Sequence, residues 1–185
     1  MESSFKESAE MLKALSADVE YCYDKIEEED SQFWRRTYIR AVFAFAESFI
    51  FRMKQSAVDI HNLRGNLFAE AELAFLKEED IREYSLNRKG EVEIQAKKRF
   101  IAFENNFKFA FKVYARAFNS SYTLDLGDGG WDAFRDALEV RHRLTHPKFI
   151  NQLNISDEEL QRIEKGMSWF RKVTLDIFRS GSVSN

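Results

Sequence analysis

Apolar side chains recur at intervals of three and four along most of this chain, the spacing that gathers them on one face of an α-helix. The first stripe is Phe5, Ala9, Leu12, Leu15, Val19, Cys22, Tyr23 and Ile26. It predicts an amphipathic helix over residues 5–26, ended by the acidic run "EEEDS" at 27–31. A second helix is predicted from Gln32, with Tyr38, Val42, Phe45, Phe49, Met53, Ser56 and Ile60 in line. Ala41, Phe43, Ala44, Ala46, Ile50 and Phe51 fill its other faces, so its middle is apolar nearly all round and belongs at the centre of the fold. "HNLRGN" (61–66) reads as a break and "LFAEAELAFL" (67–76) as a short helix.

The period then changes. Tyr84 and Leu86 alternate before "NRKG", and Val92 and Ile94 alternate after it, which predicts a small β-hairpin around residues 82–96. Helical spacing returns from Arg99 onward, where Phe103, Phe107, Ala110, Phe111, Tyr114, Ala117 and Phe118 form a stripe. The turn formers of "NSSYTLDLGDGG" (119–130) predict a loop, and Asp128 is a candidate N-cap for a helix starting near Trp131. That helix carries Phe134, Leu138 and Arg141 and should stop near His146, because Pro147 disfavours helical backbone in the residue before it. Ser156 and Glu159 have the spacing of a capping box for a last helix, whose inner face holds Leu160, Ile163, Met167, Phe170, Thr174 and Ile177.

These elements predict an all-α fold, a bundle of four to five long helices with a small hairpin between the second and third. No repeat and no linker divides the chain, so one domain over 1–180 is expected, with 61–98 as an insertion and 181–185 as a frayed tail. The 185 residues suffice for a proper core, and 18 phenylalanines predict one packed by large flat rings.

Net charge is −3, so no global positive field would hold nucleic acid, and any phosphate contact must come from a local patch. Cys22 is the lone cysteine, which rules out an intrachain disulfide and an all-cysteine zinc site. The first ten residues lack a basic-then-apolar signal pattern, and the longest apolar run (41–51) is too short to span a bilayer. A soluble, cytoplasmic protein without membrane association is expected.

The densest chemistry lies in "RHRLTHPK" (141–148). His142 and His146 are four apart, and Arg141 reaches over the same helix end. An imidazole exchanges protons near neutral pH, and a guanidinium grips phosphate through two parallel N–H bonds. Together they suit metal-free RNA cleavage, in which the imidazole manages a proton and arginine stabilises charge on the phosphoryl oxygens. The competing reading is a basic helix end that complements the helix dipole. A zinc pair is disfavoured, because no HExxH glutamate is present, Arg141 and Arg143 would repel a cation, and His61 is remote in sequence. "DLGDGG" lacks the ligand series of a calcium loop. No cofactor-binding motif occurs.

An arginine, four residues and a histidine, on a late helix with one further helix after it, resembles the signature of the HEPN superfamily (higher eukaryote and prokaryote nucleotide-binding domains). "WDAFRDALEVRHRLTHPK" followed by "NISDEEL" is similar to bacterial members of that group. The resemblance implies a metal-independent endoribonuclease of the toxin or phage-defence type. It would act on RNA as a homodimer that brings two motif copies to one cleft, under the control of an antitoxin or other regulatory protein. Arg141 and His146 match the family's active pair, and His142 matches its auxiliary polar position. Other members serve as non-catalytic modules for dimerisation or for binding a protein or nucleotide, which is the alternative here.

Glu47 interrupts the apolar middle of the second helix. A buried carboxylate there calls for a partner, and Arg141 is the attractive one, since the pair would orient the guanidinium; the alternatives are a surface-facing Glu47 on a narrow polar stripe, or a pair with Arg40 or Arg52. Arg35–Arg36, 97–99 ("KKR") and "RHR" (141–143) with Lys148 could follow an RNA backbone, though such clusters are commonly solvated faces. Trp131 and Tyr122 are the aromatics considered for a base platform.

Overall fold

A computed structural model of the chain describes residues 2–77, 84–94 and 101–181. The fold class is all-α. The elements are α1 (Glu2–Glu28), α2 (Gln32–Arg64), α3 (Glu70–Lys77), β1 (Tyr84–Leu86), β2 (Val92–Ile94), α4 (Phe103–Ala117), α5 (Gly130–Thr145) and α6 (Asp157–Gly181). A single 3-10 turn, Ile150–Leu153, lies between α5 and α6. The basic cluster at 97–99 and the tail at 182–185 lie outside the described residues. No described helix is long and apolar enough to cross a membrane.

The chain forms two compact units, Met1–Phe49 with Leu126–Lys172, and Ile50–Asp125 with Val173–Asn185. The boundaries fall inside α2, in the loop between α4 and α5, and inside α6.

The first unit is packed by aromatic rings. Phe134 stacks on Phe170 at 5.6 Å between centroids and meets Phe43 at 5.5 Å and Trp169 at 5.8 Å. Phe45 and Phe49 approach Phe170 edge-on, the geometry that aromatic quadrupoles favour. These rings leave little room between α5 and α6. Gly166 fits because it has no side chain: a Cβ there would lie 2.8 Å from the Phe134 backbone nitrogen and Cα.

The second unit has its own core of Phe75, Leu76, Phe109, Val113 and Ala117 with Val58 and Phe68. β1 and β2 pair antiparallel, with Leu86 opposite Val92. The Asn87 side chain closes the turn, accepting from the Lys89 and Glu91 amides at 2.9 and 3.1 Å. Lys54 is buried here. Its ammonium donates to the Phe75 carbonyl in the last turn of α3, at 3.5 Å, and to Asn106 Oδ1 at 3.2 Å. A cation at a helix C-terminus complements its dipole.

Three boundaries differ from expectation. α2 does not break at His61. Its last turn includes that residue, whose Nδ1 accepts from the Phe68 amide at 3.2 Å, and the helix ends before Gly65. α3 begins at Glu70, not Leu67. Asp128 is not the N-cap of α5: Gly129 holds that position at φ 73°, and Asp128 Oδ1 instead accepts from the Gly130 amide at 2.8 Å.

Gly166→Ala tests how closely α5 and α6 approach. Alanine should gain roughly 1 kcal/mol of helix propensity. The clash with backbone should cost more, for a net loss of about 1–3 kcal/mol in denaturant unfolding. A stabilised variant would contradict the close approach.

Candidate functional site

The motif occupies the end of α5, within the first unit. Leu144 is buried and anchors the last turn to the core, while His142 and His146 are exposed. The helix stops at Thr145, with His146 as the C-cap at φ −129° and ψ 55°, as the proline rule requires. His146 therefore leaves the helical path, and the ideal angle between positions four apart does not apply to it. Its amide still donates to the His142 carbonyl at 3.1 Å. Neither imidazole makes a side-chain hydrogen bond with any described residue.

The two arginines have different surroundings. Arg141 Nη2 donates to Glu47 Oε1 at 2.7 Å. The Glu47 side chain is 45% exposed, so of the two readings the surface-facing one holds, and the carboxylate still pairs with Arg141. An ion pair this open contributes about 0–1 kcal/mol to stability. Its consequence is directional: it holds the guanidinium along one edge and leaves the other edge for an anion. Arg143, in contrast, is turned into the protein, where both of its terminal nitrogens have partners although its buried Nε has none. It grips Glu159 through two N–H bonds of 2.7 and 3.1 Å and donates to the Asn154 carbonyl at 2.9 Å.

Glu159 serves two partners. Besides Arg143, its Oε2 accepts from the Ser156 amide at 3.1 Å, and the Ser156 hydroxyl accepts from the Glu159 amide at 3.2 Å, completing the capping box. Burial disfavours the charged carboxylate, yet the Arg143 guanidinium and the Ser156 amide outweigh it and hold the Glu159 pKa below the ordinary carboxylate range.

The connector between α5 and α6 is tied to the start of α2. Gln32 bonds both backbone groups of Ile155, accepting at 2.8 Å and donating at 2.9 Å. Arg35 donates to the Ile155 carbonyl at 2.9 Å, to Asp157 at 2.6 Å and to both oxygens of Asp30. Arg36 donates to the Leu153 carbonyl at 3.2 Å. Arg35 and Arg36 thus help to hold the connector. Gln32, read from the sequence only as the start of the second helix, carried no motif signal for this role.

The connector also displays apolar side chains. Gln152 Oε1 accepts from the Lys148 and Phe149 amides at 2.6 and 3.2 Å, while Phe149 and Ile150 are 69% and 83% exposed. Trp131, considered as a base platform, is only 6% exposed and packs against Phe134 and Trp169 in the core. Tyr122 is half-buried in the second unit against Phe111, and burial with nearby Asp176 and Asp125 pushes its pKa up to about 12. Cys22 is buried, as its stripe position implies. Among the described residues no group of three or more side chains is placed to hold a metal ion. Comparisons with family models, curated proteins and solved structures find no match for this chain.

Glu159→Gln should lower Tm at neutral pH by about 2–4 °C, the effect of roughly 1 kcal/mol in a chain of this size. The folded protein holds this carboxyl's pKa below its unfolded value. The stabilisation is therefore present above the unfolded pKa and is lost as pH falls through the folded one. The Tm gap between wild type and variant should close across that acid window. A gap independent of pH would contradict the ion pair.

Proposed function

We propose that this chain is a HEPN-like, metal-independent endoribonuclease of toxin or phage-defence type, acting as a homodimer with Arg141 and His146 as its active pair. The observation that carries the reading is the contrast at the end of α5: both terminal nitrogens of Arg143 bond Glu159 and the connector, while Arg141 is held on one side by Glu47 beside two exposed imidazoles without side-chain hydrogen bonds to described residues. A helix end needed only for stability would not require an oriented arginine there, since an open ion pair stabilises so little.

In this mechanism the 2′-hydroxyl oxygen attacks the adjacent phosphorus and the bond to the 5′-oxygen breaks. The products are a 2′,3′-cyclic phosphate and a free 5′-hydroxyl. His146 handles the protons, and two copies in a dimer would divide the roles of base and acid. Arg141 holds the scissile phosphate and stabilises charge on its oxygens. His142 assists, and Glu47 positions Arg141. The substrate must be RNA, because the nucleophile is the 2′-hydroxyl. An antitoxin or other regulatory protein would restrain such an activity.

A second reading rests on Phe149 and Ile150, apolar and exposed beside the motif. They suit a non-catalytic module that docks a second copy or a protein partner.

Incubation of purified protein with mixed-sequence RNA and a chelator separates the two. Cleavage should occur, His146→Ala should reduce it about 10²–10⁴-fold and Arg141→Ala about 10²–10³-fold, with circular dichroism unchanged. Glu47→Gln should cost less than either. Cleavage unaffected by these substitutions, or none with a properly folded dimer, would overturn the ribonuclease reading.

A further inference from the structure

Arg40 lies on the same face of α2 as Arg36 and Glu47. At 3.6 residues per turn it stands about 40° round the helix from Arg36 and about 20° from Glu47. Both of those residues tie α2 to the motif end of the first unit. Arg36 donates to the Leu153 carbonyl at 3.2 Å, and Glu47 accepts from Arg141 at 2.7 Å. Between the two ties, α2 runs antiparallel to the chain leaving α5. Arg40 therefore lies opposite the stretch that carries His142, His146 and Lys148.

Its surroundings suit a polyanion. Arg40 is exposed and makes no hydrogen bond or ion pair with any described residue. The facing stretches 36–47 and 141–153 hold five lysines and arginines against a single acid, Glu47, which is already paired. In a chain of net charge −3 this is a local positive patch. Ala44 is the exposed residue between Arg40 and Glu47 on that face, and its methyl group leaves the surface between them open. Arg40 and Glu47 are about 10 Å apart along the helix axis. Arg40 and the Arg141 held by Glu47 can thus meet one extended strand at two points.

We propose that Arg40 is a substrate-binding residue, which holds a backbone phosphate of the RNA strand next to the phosphate held by Arg141. The assignment rests on the ribonuclease reading. Arg40 acts away from the reacting atoms, so it contributes to the affinity for the strand and not to the chemical step.

Fluorescence anisotropy of a short labelled oligouridylate, titrated with the full chain carrying His146→Ala at several salt concentrations, tests it. Adding Arg40→Gln should weaken binding about tenfold. It should also reduce the slope of log affinity against log salt by about 0.7, the loss of one phosphate contact on a single strand. Arg40→Lys should keep that slope and lose about threefold in affinity. Lys13→Gln removes an exposed charge from α1, which meets the opposite face of α2 where Tyr23 packs on Tyr38, and should change neither quantity. With His146 intact, Arg40→Gln should raise KM for cleavage about tenfold and leave kcat within about twofold. An Arg40→Gln chain that binds like its parent, an equal loss with Lys13→Gln, or a fall in kcat at constant KM would overturn the role of Arg40 while cleavage by the wild type upholds the reading beneath it. RNA that is neither bound nor cleaved by the folded chain would overturn both.

Discussion

The connector between α5 and α6 has one turn of 3-10 helix and little else to hold it by itself. It is fixed by side chains. Gln32 satisfies both backbone groups of Ile155, Arg35 and Arg36 take the carbonyls of Ile155 and Leu153, and Arg143 takes that of Asn154. Each bond satisfies a carbonyl or amide that would otherwise depend on water. The last turn of α5, and with it the position of Arg141, His142 and His146, depends on this anchoring. The Arg143–Glu159 pair links that turn to the first turn of α6, so the motif helix and its successor are held at one end by charge-assisted bonds and along their length by the Phe134–Phe170 stack.

The same anchoring distinguishes the basic residues. Sequence placed Arg35, Arg36, Arg141 and Arg143 in one class of potential phosphate ligands. Arg35, Arg36 and Arg143 donate to carbonyls of the connector, whereas among the described residues the guanidinium of Arg141 meets the open carboxylate of Glu47. What distinguishes Arg141 among them is the kind of partner: an open carboxylate on α2 and no backbone carbonyl of the connector.

Much of the helical architecture was legible because periodicity reports local geometry. Leu160, Ile163, Met167, Phe170, Thr174 and Ile177, read as one face, are all buried, and the Ser156–Glu159 box and the stop at Pro147 fall where their local chemistry puts them. The Glu47–Arg141 contact was also legible, from the cost of an isolated carboxylate, while the choice between a buried and a surface-facing Glu47 stayed open: burial depends on packing around a residue, which one helix's pattern does not specify. The end of α2 was misread because His61 resembles a turn residue until its bond to Phe68 is seen. Trp131 was misread because an aromatic beside a loop can turn inward, and here it joins the ring cluster. Gln32 and Lys54 were not legible, since their roles exist only in contacts with distant backbone.

The central claim is that Arg141 and His146 cleave RNA through its own 2′-hydroxyl. Mass spectrometry of the ends produced from a short defined RNA tests it most directly. The account predicts 2′,3′-cyclic phosphate and 5′-hydroxyl ends, and no cut where a 2′-deoxynucleotide replaces the ribonucleotide preceding the scissile phosphate. Fragments with 5′-phosphate and 3′-hydroxyl ends, or cleavage that persists at the 2′-deoxy position, would contradict it.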